Sequence, residues 1–169
     1  GRTGTLFAYE QEGVSPDIMT LAKALGNGLP IGAMLTTEAV ARTFVPGSHA
    51  TTVGGTPLVT SVALGVLEHI AEASFLERVN RTGHHFMDRL KELQARHSVI
   101  CGVRGRGLMV GLELTRPGQA IVEKLLKRGF VINCTHEKVL RFVPPLIVTQ
   151  QDIDRLIEAL DAVLKEETA

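Results

Sequence analysis

Apolar residues along the chain fall into two kinds of run, one at helical spacing and one short and continuous. From Pro57 the positions Leu58, Val62, Val66, Leu67 and Ile70 recur at helical spacing. Thr56 offers an N-cap there, and Pro57 fills the first helical position, where a missing N–H costs nothing. Ser74 opens a second helix, in which Leu76, Val79, Phe86, Leu90 and Leu93 make an apolar stripe between charged positions. Further helices are predicted over 117–129, closed by Gly129, and over 149–167, where Thr149 and Asp152 are spaced as an acidic capping box. Continuous apolar runs predict strands at 4–10, 30–37, 130–134 and 138–148, and a strand pair around a Gly/Arg turn within 98–115. The strand at 30–37 is expected to be buried. Gly13 and Pro16 mark a turn, 38–44 reads as one or two helical turns, and the small, polar stretch 45–56 reads as a loop.

This order predicts an α/β fold in parts: 1–75, a linking helix at 76–97, and a small α+β lobe at 98–169. With 169 residues and 44% hydrophobic content, the chain can bury a core of ordinary globular type. Acidic and basic residues balance at 18 each, which gives no electrostatic reason to expect nucleic acid or an anionic membrane as partner. No apolar run approaches the length that crosses a bilayer. Cys101 and Cys134 cannot make a disulfide framework and lack metal-ligand spacing, so a reducing, cytoplasmic location and no metal are expected. His84 and His85 are adjacent and diverge on a helix rather than converging on an ion. The opening "GRTGTLFAYE", without a start methionine, is expected to continue something longer.

Three features carry candidate chemistry. Lys23 sits in "DIMTLAKALGNGLPIGAML", where an apolar setting would favour the neutral, nucleophilic amine that condenses with carbonyl compounds. Gly26, Gly28 and Gly32 would let backbone approach a flat ligand, although a lysine that merely snorkels from a strand end fits the same residues. "GNGLPIG" places its third glycine wrongly for a dinucleotide fingerprint, and "GVRGRGLMVG" fits neither that motif nor a P-loop. The loop "SHATTVGGTP" supplies hydroxyls at Thr51 and Thr52 and amides near Gly54 and Gly55, all able to donate to a phosphate, or simply a polar loop with a good N-cap. Arg141, in "VLRFVPPL", has the planar fork that matches a carboxylate, but an internal ion pair or exposure on the alternate face suits it equally.

Taken in order, "GRTGTLFAYE", "PDIMTLAKALGNGLPIGAMLT", "GSHATTVGGTPL", "VRGRGLMVGLEL" and "VLRFVPPLIVTQQDID" resemble the class III aminotransferases that use pyridoxal 5′-phosphate. They are most similar to the acetylornithine/succinylornithine branch, with ornithine and 4-aminobutyrate aminotransferases as relatives. The resemblance implies the C-terminal part of a large cofactor domain of the aspartate aminotransferase type, mainly parallel in its sheet, followed by the small lobe. It implies Lys23 as the residue that joins covalently to the cofactor and later shuttles a proton, and Thr52 as a phosphate ligand delivered from the neighbouring subunit of a homodimer. It implies Arg141 as the arginine for a substrate carboxylate. The expected reaction moves the δ-amino group of N-acetylornithine or succinylornithine to 2-oxoglutarate. Thr56 and Val53 depart from the asparagine and the aromatic residue usual around that loop. The acidic partner of the pyridine nitrogen, the ring-stacking residues, a second phosphate turn and a second substrate arginine would lie upstream of Gly1. The chain alone is therefore expected to be an incomplete transaminase, or a non-catalytic module.

Overall fold

The computed structural model describes residues 1–52 and 54–167; Val53 and the last two residues of the expected 98–169 lobe lie outside them. The chain divides into two compact units, Ala8–Phe75 and Gly1–Phe7 together with Leu76–Ala169. The division differs from the expected one at two places: the first seven residues join the C-terminal unit, and the helix read as a linker is part of that unit's core.

The Ala8–Phe75 unit opens with a 3₁₀ turn, Ala8–Glu12. Strands β1 (Ile18–Leu21) and β2 (Ala33–Thr36) then pair antiparallel, with Ile18 opposite Thr36 and Leu21 opposite Ala33. A second 3₁₀ turn, Lys23–Gly26, lies between them. Helix α1 (Glu38–Ala41) is a single turn, and α2 (Pro57–Ala71) packs against the Lys23–Gly26 turn. Two expectations fail here. The 30–37 strand is not buried, since Met34 and Leu35 are both exposed. The most buried residues of α2 are Val59 and Ala63, which the expected stripe omitted; Val62, Val66, Leu67 and Ile70 of that stripe are half-buried, and Leu58 is 69% exposed. That helix is apolar nearly all round, so spacing alone could not choose its face. Thr56 holds the N-cap position, but its hydroxyl makes no capping bond; its carbonyl accepts from the Thr60 N–H at 2.9 Å.

Helix α3 (Ala73–Arg96) begins in the first unit and runs into the second. Strands β3 (Ile100–Arg106) and β4 (Met109–Leu114) follow, then α4 (Gln119–Lys127), β5 (Asn133–Thr135), β6 (Val139–Phe142) and α5 (Gln150–Glu166). The sheet order is β3-β4-β6-β5, and every pairing among the described residues is antiparallel. The mainly parallel sheet implied by the resemblance therefore has no strand pair in this stretch. One face of β4 and β6, carrying Val110, Leu112, Leu140 and Phe142, packs with Leu90, Leu125 and Leu160 of the helices into one core. Each such side chain contributes roughly 1.5–3 kcal/mol by leaving water.

Element ends have local causes. Gly129 (φ 85°) donates to the Leu126 carbonyl and Phe130 to that of Leu125, a Schellman closure of α4 that uses the expected Gly129 and takes Phe130 from the expected strand. Strand β5 is thus shorter and later than 130–134. Strand β6 stops at Phe142 because Pro144 and Pro145 have no N–H for a ladder. Thr149 and Asp152 form the expected capping box: the Asp152 N–H donates to Thr149 Oγ1, and the Thr149 N–H to Asp152 Oδ2, each at 3.1 Å.

The strand expected at 4–10 is absent. Gly4 has φ 90°, its N–H donates to the Gly1 carbonyl, and its own carbonyl accepts from Asn80 Nδ2 at 2.8 Å. These bonds turn the backbone and fasten it to α3 instead of leaving it extended for a neighbouring strand. Gly107 closes the other side: a Cβ there would stand 2.6–2.8 Å from the backbone of Arg2, Thr3 and Gly4.

Candidate active site

Lys23 follows β1 after one residue and takes a left-handed backbone, φ 56°. An L-residue with a Cβ carries a cost of roughly 1–2 kcal/mol in that region, and such outliers cluster where function fixes them. The turn is held by Leu25 N–H to Ala22 O, Asn27 N–H to Ala24 O and Leu29 N–H to Gly26 O. Gly26 is needed for contact, because a Cβ would meet Ile31 Cγ2 at 2.8 Å. Lys23, Ala24, Gly28, Leu29, Pro30 and Ile31 line a hollow of about 440 Å³. The lysine is exposed and pairs with no carboxylate among the described residues. Sequence reasoning expected desolvation around this amine; the described residues do not enclose it, because the apolar residues beside it line only one side of an open hollow.

Thr52 lies in the same unit, exposed in a bend of the 45–56 loop, and is not among the residues lining the Lys23 hollow. Within the loop the Gly54 N–H donates to Thr51 Oγ1 at 3.2 Å, so one amide expected for a phosphate is already used. Gly55 turns the chain with φ 74°.

Arg141 belongs to the other unit. On β6 it stands opposite Gly111 of β4 and Asn133 of β5, on the sheet face away from Leu140 and Phe142. It borders a hollow of about 480 Å³ with Phe130, Val143 and Leu156, and a second of about 550 Å³ with Thr3, Arg104 and Thr135. The carboxylates nearest in the fold are engaged elsewhere. Glu113 accepts from Arg104, and Asp152 from Thr149 and Arg155. Those bonds, the Thr149 hydroxyl first, hold the Asp152 carboxyl down at about 2. Arg141 thus has no carboxylate partner among the described residues.

A fourth residue escaped the sequence reading. Arg2 Nη1 donates to the carbonyls of Leu108 (3.1 Å) and Pro144 (2.5 Å), and burial first, then the charge of Arg141, lowers its proton affinity. The only signal for it was an arginine between glycines in "GRTG". No group of three or more His, Cys, Asp or Glu among the described residues could hold a metal ion, and no single described helix is long and apolar enough to cross a membrane.

Comparison with known proteins adds identity to this geometry. The family Aminotransferase class-III matches residues 1–164. Acetylornithine aminotransferase of Methanocaldococcus jannaschii is 51% identical over 166 residues, which are 98% of this chain and 42% of that protein. Ornithine aminotransferase of Exiguobacterium sp. is 43% identical over 165 residues, 97% of this chain and 41% of its own length. The solved N-acetylornithine aminotransferase of Stenotrophomonas maltophilia superposes with a TM-score of 0.87 at 38% identity, covering 99% of this chain and 44% of that one. The chain spans well under half the length of the relatives it matches.

Proposed function

This chain belongs to the class III aminotransferases, and from that membership we propose that it is the lysine-bearing portion of a transaminase that moves the δ-amino group of N-acetylornithine or succinylornithine to 2-oxoglutarate. The observation that carries the reading is Lys23: an accessible, unpaired amine held on a strained backbone at the edge of a hollow lined by Gly28, Leu29, Pro30 and Ile31. The family's cofactor is pyridoxal 5′-phosphate. The donor set fits it, since an exposed primary amine can form a covalent bond to an aldehyde, and the exposed Thr52 hydroxyl can donate to a phosphate. When bound, the cofactor supplies an electron sink for the carbon that loses its proton.

The residues of this chain do the rest. With the cofactor bound, the Lys23 amine would take the substrate proton and return it. Its left-handed backbone and the short 3₁₀ turn behind it fix where that amine projects. Thr52 anchors a phosphate, and we assign that service to the neighbouring subunit of a homodimer. Arg141 holds a carboxylate of the amino-acid substrate or of 2-oxoglutarate by its unpaired fork. Two free thiols, Cys101 and Cys134, support a reducing, cytoplasmic setting. Ornithine is the second substrate reading, supported by the 43% identity to an ornithine aminotransferase.

Borohydride trapping tests the proposal. The chain is incubated with pyridoxal phosphate, reduced and mapped by mass spectrometry, with Lys23→Ala as control. Selective pyridoxylation of Lys23 is expected; label scattered over the other lysines would overturn the assignment.

A further inference from the structure

Arg2 stands where the β4–β6 ladder runs out. The last paired residues are Val110 and Phe142, with Gly111 opposite Arg141 one step before them. Beyond that point Pro144 and Pro145 cannot donate, so nothing in the two strands themselves holds their ends together. The Arg2 guanidinium fills the gap by donating from Nη1 to Leu108 O on one strand end and Pro144 O on the other. Its own backbone is fixed as well, because Arg2 O accepts the Leu108 N–H at 3.0 Å and Gly107 admits the close approach. Both acceptors are neutral carbonyls, so these bonds leave the charge of Arg2 uncompensated. Burial, and next the guanidinium of Arg141, lower its proton affinity from the ordinary arginine value. Arg104 and Arg106 share the Arg141 hollow, and Arg104 is paired with Glu113.

We propose that Arg2 is a positioning residue for the Arg141 carboxylate site: it clamps the ends of β4 and β6, and its uncompensated charge adds to that of Arg141 in attracting an incoming carboxylate. The inference rests on the reading of Arg141 as a carboxylate receptor. The electrostatic logic is that like charges brought close are relieved by an anion, and that a fork held on a fixed strand loses little freedom on binding.

The test uses the full chain and glutarate, a dicarboxylate that has no keto group to react. Binding is followed by calorimetry and by the Arg141 Nε–Hε resonance, in wild type and in Arg141→Met, Arg2→Gln and Arg2→Lys, with the amide spectrum of residues 100–114 as fold control. Arg141→Met is expected to abolish binding. Arg2→Gln should weaken it about tenfold, the scale of one charge-assisted interaction. Arg2→Lys should restore part of the loss, to within about threefold of wild type, because charge returns without the two-carbonyl fork. If wild type does not bind glutarate, or Arg141→Met binds it unchanged, the carboxylate reading fails and the inference with it. If Arg141→Met abolishes binding while folded Arg2→Gln binds like wild type, the carboxylate reading stands and the role of Arg2 is overturned. Where Arg2→Gln does not fold, Arg2→Lys decides: an Arg141 signal and affinity identical to wild type overturn the inference. A lysine variant no tighter than a folded glutamine variant overturns it as well.

Discussion

In the unit that includes Leu76–Glu167, the side chains of Leu90, Leu93, Leu112, Leu125, Leu140 and Leu160 are wholly excluded from water. In Ala8–Phe75, by contrast, Ile18, Met34, Leu35, Phe44, Leu58 and Leu64 each remain 47–69% exposed. Each unit carries residues of the proposed chemistry, yet only one closes a core around its own elements. The exposed residues lie on the hairpin that flanks Lys23, on α2, and at either end of the loop that holds Thr52. Clustered exposed apolar residues mark a surface suited to contact with other polypeptide rather than water. Arg141 thus rides on a self-sufficient scaffold, while Lys23 and Thr52 ride on a frame whose own contacts are few.

The sharpest way to break that comparison is native-state hydrogen exchange. Amides of β4, β6 and α5 should be protected roughly a thousandfold more than those of β1 and β2, a gap of about 4 kcal/mol. Equal protection in the hairpin and in β4–β6 would show that the smaller unit is as well held as the larger.

How much of this was legible in the sequence follows the same division. In the larger unit the stripe of Leu76, Val79, Phe86, Leu90 and Leu93 named the inward face of α3, Leu76 half-buried and the other four buried, and the Thr149–Asp152 pair marked the start of α5. There the hydrophobic pattern and the packing agree because the unit buries what the pattern offers. In the smaller unit the pattern misled. The run at 30–37 had the composition of a buried strand and Leu58 that of a core position, but these residues pack against too little described structure to cover them. The residues at the site were legible as chemistry, since Lys23, Thr52 and Arg141 carry groups that suit an aldehyde, a phosphate and a carboxylate. The left-handed backbone of Lys23 was not, because no local propensity places a lysine at φ 56°. Nor was Arg2, whose partners Leu108 and Pro144 are more than a hundred positions away in the chain.

Paired substitutions sharpen the contrast at single residues. Leu160→Ala empties a site that is 0% exposed, and should cost the larger unit about 3 kcal/mol in urea unfolding. Leu58→Ser, at a position 69% exposed, should change stability by less than about 0.5 kcal/mol. A large loss from Leu58→Ser would mean that α2 buries a face the structure leaves in water.

A contrast set by pH concerns how the larger unit fastens α5 to the end of α3. Asp161 accepts from His97 Nε2 at 2.6 Å, with Arg96 at 3.1 Å and Lys165 at 2.9 Å on its other oxygen. These partners, the His97 bond foremost, lower its carboxyl to about 2 against the burial that would raise it. A carboxyl with a depressed folded-state value stabilises the fold above its unfolded value near 3.8, and loses that contribution as pH falls toward 2. With screening by the nearby solvent, the contribution is on the order of 1 kcal/mol. The melting temperature of wild type should therefore exceed that of Asp161→Asn at about pH 5, and the gap should shrink as pH falls from the unfolded value near 3.8 through about 2. The smaller unit, monitored separately through β1 and β2 amides, should show no difference between the two proteins at either pH. A gap that persisted unchanged to the acid end would mean that the asparagine variant fails by shape rather than by charge, and that the α3–α5 contact does not depend on an ionised Asp161.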